Sequence, residues 1–225
     1  MPDIARMLDK LERLRDADRG LSVYGARQHW YRLGPPLADD ELRRFERLHR
    51  ISLPVEYRAF LLQAGNGGAG PYAGLLPLEA ALISAEEGFL ARPFPYRHWW
   101  NGVSPPNWWE LPNAHALDTH TAPHHADYSA DVRVQGTLRL AHEGCGYYCL
   151  LVVSGAERGH VWGDERAGDG GIMPLPYRPG PYQIEGSSLL PISGATARMT
   201  FLEWYADWLD TSLQRPLTKT PPGDG

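Results

Sequence analysis

Residues 51–68, ISLPVEYRAFLLQAGNGG, combine a helix start, an apolar helix face and a glycine-rich turn. Pro54 suits the first position of a helix, because a proline there gives up only an N–H group that would have no partner within the helix. The apolar side chains that follow recur at helical spacing and are Tyr57, Phe60, Leu61 and Ala64. Gly65 suits the end of this helix. The segment therefore predicts a helix that runs directly into a turn.

Two further helices are predicted before this segment. Residues 3–19 place apolar side chains three and four positions apart, and Gly20 ends the pattern. The second helix opens on the acidic run 39–41, whose charges favour the positive end of the helix dipole. Its inward side chains are expected to be Leu42, Phe45 and Leu48. The stretch between these helices, 21–36, is predicted to be rich in turns, with short strand character.

The remainder of the chain predicts an antiparallel sheet and a closing helix. The stretch 74–84 is expected to form a short strand or an extended turn. Three apolar or alternating runs then follow, at 134–142, 147–154 and 160–164, separated by glycine-containing turns. They predict a meander whose central strand, CLLVV, is buried on both faces. Residues 164–182 predict a loop. Residues 200–210 predict a helix in which Thr200 and Glu203 have the spacing of a capping box and the tryptophans face the core.

These elements predict one α+β domain over residues 1–215, with helices at the ends, an antiparallel sheet between them and a flexible tail at 216–225. Residues 91–131 interrupt the pattern. They are rich in proline and histidine, contain four of the eight tryptophans and show no helix or strand period. A loop of this length usually has a function. We expect an ordered insertion that packs on the domain.

Composition and charge exclude several classes of protein. The chain has 225 residues, of which 43% are hydrophobic and 22% are charged, so disorder of the whole chain is excluded. Residues 1–58 hold 12 basic and 10 acidic side chains, and the remainder has a net charge of −7 within a total of −5. This balance argues against a general nucleic-acid binder, which needs clustered basic side chains, and fits a basic protein partner better.

The chain shows no sign of a membrane segment or of an oxidising compartment. No apolar run reaches the roughly 18–20 residues needed to cross a bilayer, and the charged start lacks the apolar core of a signal peptide. In one extended strand the Cα atoms of Cys145 and Cys149 would be about 13 Å apart, too far for a disulfide. We expect reduced thiols, a cytoplasmic location and no membrane partner.

The order of the motifs resembles the SUKH superfamily. Residues 53–68 match its N-terminal signature, a helix start of the form LP-x-x-Y-x-x-F-L followed by N-G-G. The turn 144–146, the strand 150–153 and the run 159–162 are similar to its glycine-rich turn, central strand and aromatic-bearing strand. Residues 200–209 resemble its closing helix. The similarity covers roughly residues 37–210 and is interrupted by 91–131.

This resemblance implies a protein that binds other proteins and has no catalytic residues or cofactor. The superfamily contains many bacterial immunity proteins, which neutralise polymorphic toxins, often nucleases, by stoichiometric binding. It also contains fungal regulators of cell-wall assembly that act as hubs. The resemblance therefore implies a non-enzymatic immunity protein whose partner is a bacterial toxin domain. Two alternatives remain open: a scaffold or regulator with a housekeeping partner, and a metal-dependent hydrolase built on 91–131.

The motifs that suggest catalysis have simpler explanations. Residues 65–70 spell G-x-G-x-x-G, but they follow a predicted helix, whereas a dinucleotide fingerprint follows a strand. His142 and Glu143 lack the second histidine of H-E-x-x-H, because Gly146 stands in its place. One candidate metal cluster consists of His115, His120, His124 and His125 with Asp118, Asp127 and Asp131. Its spacing fits no helical ligand pattern, since Pro123 interrupts it, so a polar loop or partner contact is favoured over a metal site.

The candidate partner-binding residues are four acids and two tryptophans. Glu143, Asp164, Glu165 and Asp169 lie at the ends of predicted strands or in the loop that follows them. They would form an acidic rim that steers a basic toxin, with solvated turn charges as the alternative. Trp108 and Trp109 would supply anchors, because tryptophan carries much of the hot-spot energy of protein interfaces. The alternative for these tryptophans is a satellite core.

Overall fold

The structure, a computed structural model, describes residues 3–102, 127–175 and 198–215. Within these ranges the chain forms five α-helices and a four-stranded antiparallel sheet. The helices are α1 (Ile4–Ala17), α2 (Ala26–His29), α3 (Asp39–His49), α4 (Val55–Gln63) and α5 (Phe201–Gln214). The strands are β1 (Thr137–Gly144), β2 (Tyr147–Val152), β3 (Val161–Asp164) and β4 (Ile172–Pro174). The predicted α+β fold class is confirmed.

The sheet is the predicted meander with one strand more than expected. Its strands lie side by side in chain order, and each pairs antiparallel with the next. Residues 149–153 are all buried, which confirms the prediction for the central strand. The prediction of a loop over 164–182 is wrong at β4. This strand pairs with β3 on one side, and on the other Trp100 exchanges two backbone hydrogen bonds with Ile172, of 2.8 and 2.6 Å.

The helix ends follow the local sequence signals closely. At α5 the backbone N–H of Glu203 donates to Thr200 Oγ1 at 3.4 Å, and the N–H of Thr200 donates to Glu203 Oε2 at 2.9 Å, so the predicted capping box is present. Helix α4 begins at Val55, with Pro54 one position earlier than expected, at the N-cap. In the stretch 21–36 the short helix α2 forms, and the expected strand character is limited to a single bridge at Leu33.

One inward side chain of α3 is predicted wrongly. Leu42 is buried and Phe45 packs against the core, but Leu48 is 73% exposed. Each helical residue advances by about 100°, so Leu48 lies roughly 120° away from the direction of Leu42. His49 continues the inward stripe instead, and its ring centroid lies 4.4 Å from that of Phe45.

The asparagine–glycine–glycine turn that follows α4 joins distant segments. Gly68 forms single bridges with both Leu33 and Leu75, and its φ is +96°. A Cβ atom at Gly68 would lie 2.3 Å from the carbonyl oxygen of Arg32, so only glycine fits this close approach. The segment 74–84 extends the turn through Leu75, which also bridges Ala141 of β1.

One continuous hydrophobic core connects the helices and the sheet. Helix α5 packs against α1 and α4. The ring of Phe201 meets those of Tyr57 and Phe60 at centroid distances of 4.9 and 5.1 Å, and Trp162 of β3 is fully buried. Cys145 and Cys149 are free thiols, as predicted. No helix among the described residues is long and apolar enough to span a membrane.

The described flanks of the 91–131 insertion pack on the domain. Trp99 is buried, and its indole Nε1–H donates to the carbonyl oxygen of Gly170 at 2.7 Å. The ring of Trp100 stacks with those of Tyr96 and Tyr128, with centroids 5.1 and 5.4 Å away. The guanidinium of Arg133 lies 5.0 Å from the Trp100 ring centroid. Residues 103–126 lie outside the described part of the chain.

Candidate functional site

The four predicted acids meet at one end of the sheet. The register pairs the end of β1 with the start of β2, and then pairs Asp164, at the end of β3, with Ile172 at the start of β4. Glu143 therefore lies at the same end of the sheet as Asp164, Glu165 and Asp169. We call these four residues the acidic end. The sequence places them on separate strands and loops, and the antiparallel register brings them together.

The acidic end exposes less charge than an acidic rim requires. Asp164 and Glu165 are each only 5% exposed, and Glu143 and Asp169 are partly buried. Arg166 donates from Nε and Nη2 to the two carboxylate oxygens of Asp164, both at 2.7 Å, so this charge is paired internally. The expectation that all four acids form an exposed rim is therefore corrected, because Asp164 and Glu165 are buried.

Two of these carboxyl groups hold their protons unusually strongly. Burial, together with the nearby carboxyls of Glu143 and Asp164, raises the pKa of Glu165 to about 7. Burial also raises the pKa of Glu143, although hydrogen bonds from Cys149 and Tyr72 oppose that shift. Glu165 is therefore only partly ionised near neutral pH.

Glu143 connects the acidic end to the surface beside it. Its Oε1 accepts a hydrogen bond from Cys149 Sγ at 3.1 Å, and its carboxylate also accepts from the Tyr72 hydroxyl. Burial and the adjacent carboxyl raise the pKa of Cys149 well above its usual value, so this thiol is a poor nucleophile. The carbonyl oxygen of Glu143 accepts a hydrogen bond from the hydroxyl of Tyr24 at 3.2 Å.

Tyr24 and Tyr72 line a cleft of about 220 Å³ along α5. We call it the aromatic cleft. The α5 residues in its wall recur at three- and four-residue spacing and therefore share one helix face. The cleft is lined by Val23, Tyr24, Pro71, Tyr72, Trp204, Asp207, Trp208, Thr211, Ser212 and Arg215.

The aromatic cleft offers an exposed ring in a fixed position. Tyr24 is 62% exposed although its hydroxyl is hydrogen-bonded. Trp204 is buried, as predicted for a core side chain, whereas Trp208 is only partly buried and forms part of the wall. No single sequence motif predicts this cleft. Spacing along α5 identifies one wall, but the other comes from residues 23–24 and 71–72, which are distant in sequence.

The remaining predicted site residues lie outside the described ranges. These are Trp108 and Trp109, together with the histidines at 115, 120, 124 and 125 and Asp118. Among the residues that the structure describes, no group of three or more histidine, cysteine, aspartate or glutamate side chains could hold a metal ion. Asp127 pairs with Arg133 at 3.3 Å instead.

Comparison with known proteins places the chain in a family. Neither the curated proteins nor the solved structures contain a match to it. A family model described as the SMI1 / KNR4 family (SUKH-1) matches residues 36–167, which is more than half of the chain. That range includes α3, α4 and the first three strands, together with the whole acidic end except Asp169. The protein therefore belongs to the SMI1 / KNR4 family (SUKH-1).

Proposed function

We propose that this protein is a non-enzymatic immunity protein, which neutralises a polymorphic toxin by binding it in a stoichiometric complex. Family membership supports a role in binding other proteins. The observation that carries the proposal is the arrangement around Glu143, where an exposed tyrosine, a cleft and a set of acids adjoin one another.

Tyr24 is suited to act as an interface anchor. Aromatic side chains contribute most to binding when their position is fixed before the partner arrives, because less side-chain entropy is then lost. The hydrogen bond from Tyr24 to the Glu143 carbonyl provides that preorganisation. A partner side chain that enters the aromatic cleft would contact the ring of Tyr24 and the indole of Trp208 together.

The charge of the surface favours a basic partner. The part of the chain after residue 58 has a net charge of −7. Asp207 adds an exposed carboxylate to the wall of the aromatic cleft, and Asp169 remains partly exposed at the acidic end. Such a distribution accelerates association with a basic protein and orients it. Within this proposal the complex occludes the active site or the substrate path of the toxin, and Trp108 and Trp109 supply a second anchor.

The proposal predicts a toxin gene beside the gene for this protein, and a titration with the toxin domain that it encodes tests the proposal. Toxin activity should fall linearly with added protein and reach its minimum at one equivalent. If a pull-down with this protein as bait recovers several unrelated housekeeping proteins, and the protein inhibits no toxin, the scaffold alternative is favoured instead.

Substitution of Tyr24 tests the assigned surface in the same assay. Tyr24→Ala should weaken binding by roughly tenfold or more, which corresponds to about 1.4 kcal/mol or above. Tyr24→Phe keeps the ring and should lose less. Glu12→Ala, an exposed change on α1, is the control and should leave the affinity unchanged. Full affinity in Tyr24→Ala would place the interface elsewhere.

A further inference from the structure

A second charged surface lies on α3, away from the residues used above. It is a shallow depression of about 430 Å³, which we call the arginine depression. It is lined by Arg43, Glu46, Arg47, Arg50, Ile51 and Ser52.

Helical spacing explains why three arginines share this surface. Arg43, Arg47 and Arg50 are four and three residues apart, so their side chains lie on one face of α3 and its C-terminal end. Leu42, on a different face of the helix, is buried in the core. The arginine depression therefore lies on a helix that is anchored to the core by another of its faces.

Glu46, the one acid in the lining, forms two contacts within the domain. Glu46 Oε1 accepts the backbone N–H of Leu53 at 2.8 Å, and its Oε2 pairs with Arg58 Nε at 3.4 Å. These contacts fix the start of α4 relative to α3. The pair with Arg58 also compensates part of the charge of Glu46, and the lining contains three arginines against this one acid.

The arginine side chains are available to an external anion. Arg43 pairs with Asp39 at 2.6 Å and Arg50 pairs with Glu87 at 2.8 Å, but all four side chains are at least 43% exposed. Exposed pairs of this kind contribute little to stability, so an incoming carboxylate can replace them at little cost. In the described part of the chain no ion pair engages Arg47.

A fourth guanidinium adjoins the rim. Arg158 Nη2 donates to the backbone carbonyl oxygens of Ser52 and Leu53, both at 2.9 Å. Ser52 itself lines the depression. Leu48 and Val55, on α3 and at the start of α4, are 73% and 75% exposed. Leu48 is adjacent in sequence to Arg47 and Val55 follows Ser52 by three residues, so exposed apolar groups occur near the depression although neither lines it.

We propose that the arginine depression binds an acidic segment of a partner polypeptide. Guanidinium groups recognise carboxylates through paired hydrogen bonds, and a cluster of arginines is a common means of reading acidic motifs. The exposed leucine and valine favour a polypeptide, which has apolar side chains to bury, over a simple ion. A nucleic acid is disfavoured, because its affinity needs many basic contacts and the whole chain has a net charge of −5.

Fluorescence anisotropy with labelled peptides tests the proposal on the full-length chain. The probe is a hexaglutamate peptide with one leucine, compared with the same peptide carrying glutamine in place of glutamate, both at near-physiological salt. We expect saturable binding of the glutamate peptide alone. The double substitution Arg47→Glu with Arg50→Glu should weaken it by roughly tenfold or more. Arg13→Glu with Arg6→Glu, two exposed reversals on α1, is the matched control and should have no such effect.

Several outcomes would overturn the proposal. Equal binding of both peptides, or equal losses in the two double variants, would show that only general charge is involved. Tighter binding of a single-stranded DNA oligonucleotide would assign the surface to phosphate backbones. Concentration-dependent self-association that disappears in the Arg47→Glu, Arg50→Glu variant would assign it to a second copy of this chain. Circular dichroism of each variant confirms that the fold is retained, and the result is independent of whether Tyr24 contacts a toxin.

Discussion

Glu165 is a buried carboxyl group beside two others, and its ionisation opposes folding. Its pKa is raised to about 7 in the folded chain, from 4.5 in its unperturbed state, because burial and the neighbouring acids disfavour the charged form. The folded state therefore binds this proton more tightly than the unfolded state does. Its contribution to stability is complete below about pH 4.5 and is lost as the pH rises through 7.

We predict that Glu165→Gln stabilises the protein above neutral pH. At pH 8 the free energy of unfolding should increase by on the order of 2 kcal/mol, because glutamine replaces a buried charge with a neutral group of the same shape. At pH 5 the two proteins should be nearly equal. Urea unfolding at both pH values measures this difference. Glu12→Gln on α1 is the control, and a parallel pH dependence in Glu165→Gln and the parent protein would contradict the prediction.

Arg166 is the second residue on which the sheet end depends. Its side chain is 9% exposed and that of Asp164 is 7% exposed, and Nη1 of Arg166 also donates to the carbonyl oxygens of Tyr128 and Ala130 at 3.1 and 3.0 Å. One guanidinium thus joins β3 to the segment that returns from the insertion.

Removal of Arg166 should be strongly destabilising. Arg166→Met leaves the Asp164 carboxylate buried without its partner, which costs about 3–5 kcal/mol. Asp164→Asn combined with Arg166→Met should cost less than the sum of the single changes, because the unpaired charge is gone. A double-mutant cycle by chemical denaturation measures this coupling. Strict additivity would mean that the pair contributes no specific interaction.

At the scale of elements, α3 shows how a helix is held by only one of its faces. Leu42 is fully buried and Leu48 is 73% exposed, although both were candidates for the core on hydrophobicity alone. Leu42→Ala should lower the free energy of unfolding by about 2–5 kcal/mol, because it leaves a cavity in a packed core. Leu48→Ala should change it by less than about 0.5 kcal/mol. Thermal or urea denaturation of this pair of variants checks the orientation of the helix, and similar losses in both would contradict it.

Strand β4 depends on its neighbours to an unusual degree. It has three residues, and its backbone is paired with β3 on one side and with Trp100 on the other. Gly171, just before it, has a φ of +83°, and a Cβ atom there would lie 2.1 Å from the carbonyl oxygen of Trp100. A short sequence in a region rich in glycine and proline becomes a strand here because two separate segments supply its hydrogen-bond partners.

At the scale of the whole molecule, the two described ends of the insertion contact each other. The rings of Trp100 and Tyr128 stack at 5.4 Å, and a Cβ atom at Gly102 would lie 2.9 Å from Tyr128 Cδ2. The chain thus leaves and re-enters the domain at almost the same place.

Replacement of 103–126 with a linker of about four glycine and serine residues should therefore preserve the fold, since short connections suffice between adjacent chain ends. The far-ultraviolet circular dichroism and the midpoint of unfolding should remain close to those of the full chain. If Trp108 and Trp109 anchor a partner, the linker variant should lose affinity to the same degree as the double substitution of these tryptophans by alanine. Loss of the folded state would contradict the prediction.

Much of this architecture follows from local signals. The spacing of Tyr57, Phe60 and Leu61 identifies α4, and Thr200 with Glu203 marks the start of α5, because helix faces and caps depend on residues within one or two turns. The apolar run CLLVV and the turns around it identify the meander for the same reason. The resemblance to the family also rests on such local motifs in their order along the chain.

The state of the candidate site depends on the packing of segments that are far apart in sequence. The local pattern predicts acids at the ends of the strands, but their burial, the pairing of Asp164 with Arg166 and the raised pKa of Glu165 depend on which segments cover them. The aromatic cleft likewise needs residues 23–24, 71–72 and one face of α5 to meet. Secondary structure follows from neighbours along the chain, whereas exposure and ionisation follow from neighbours in space, which a single sequence does not specify.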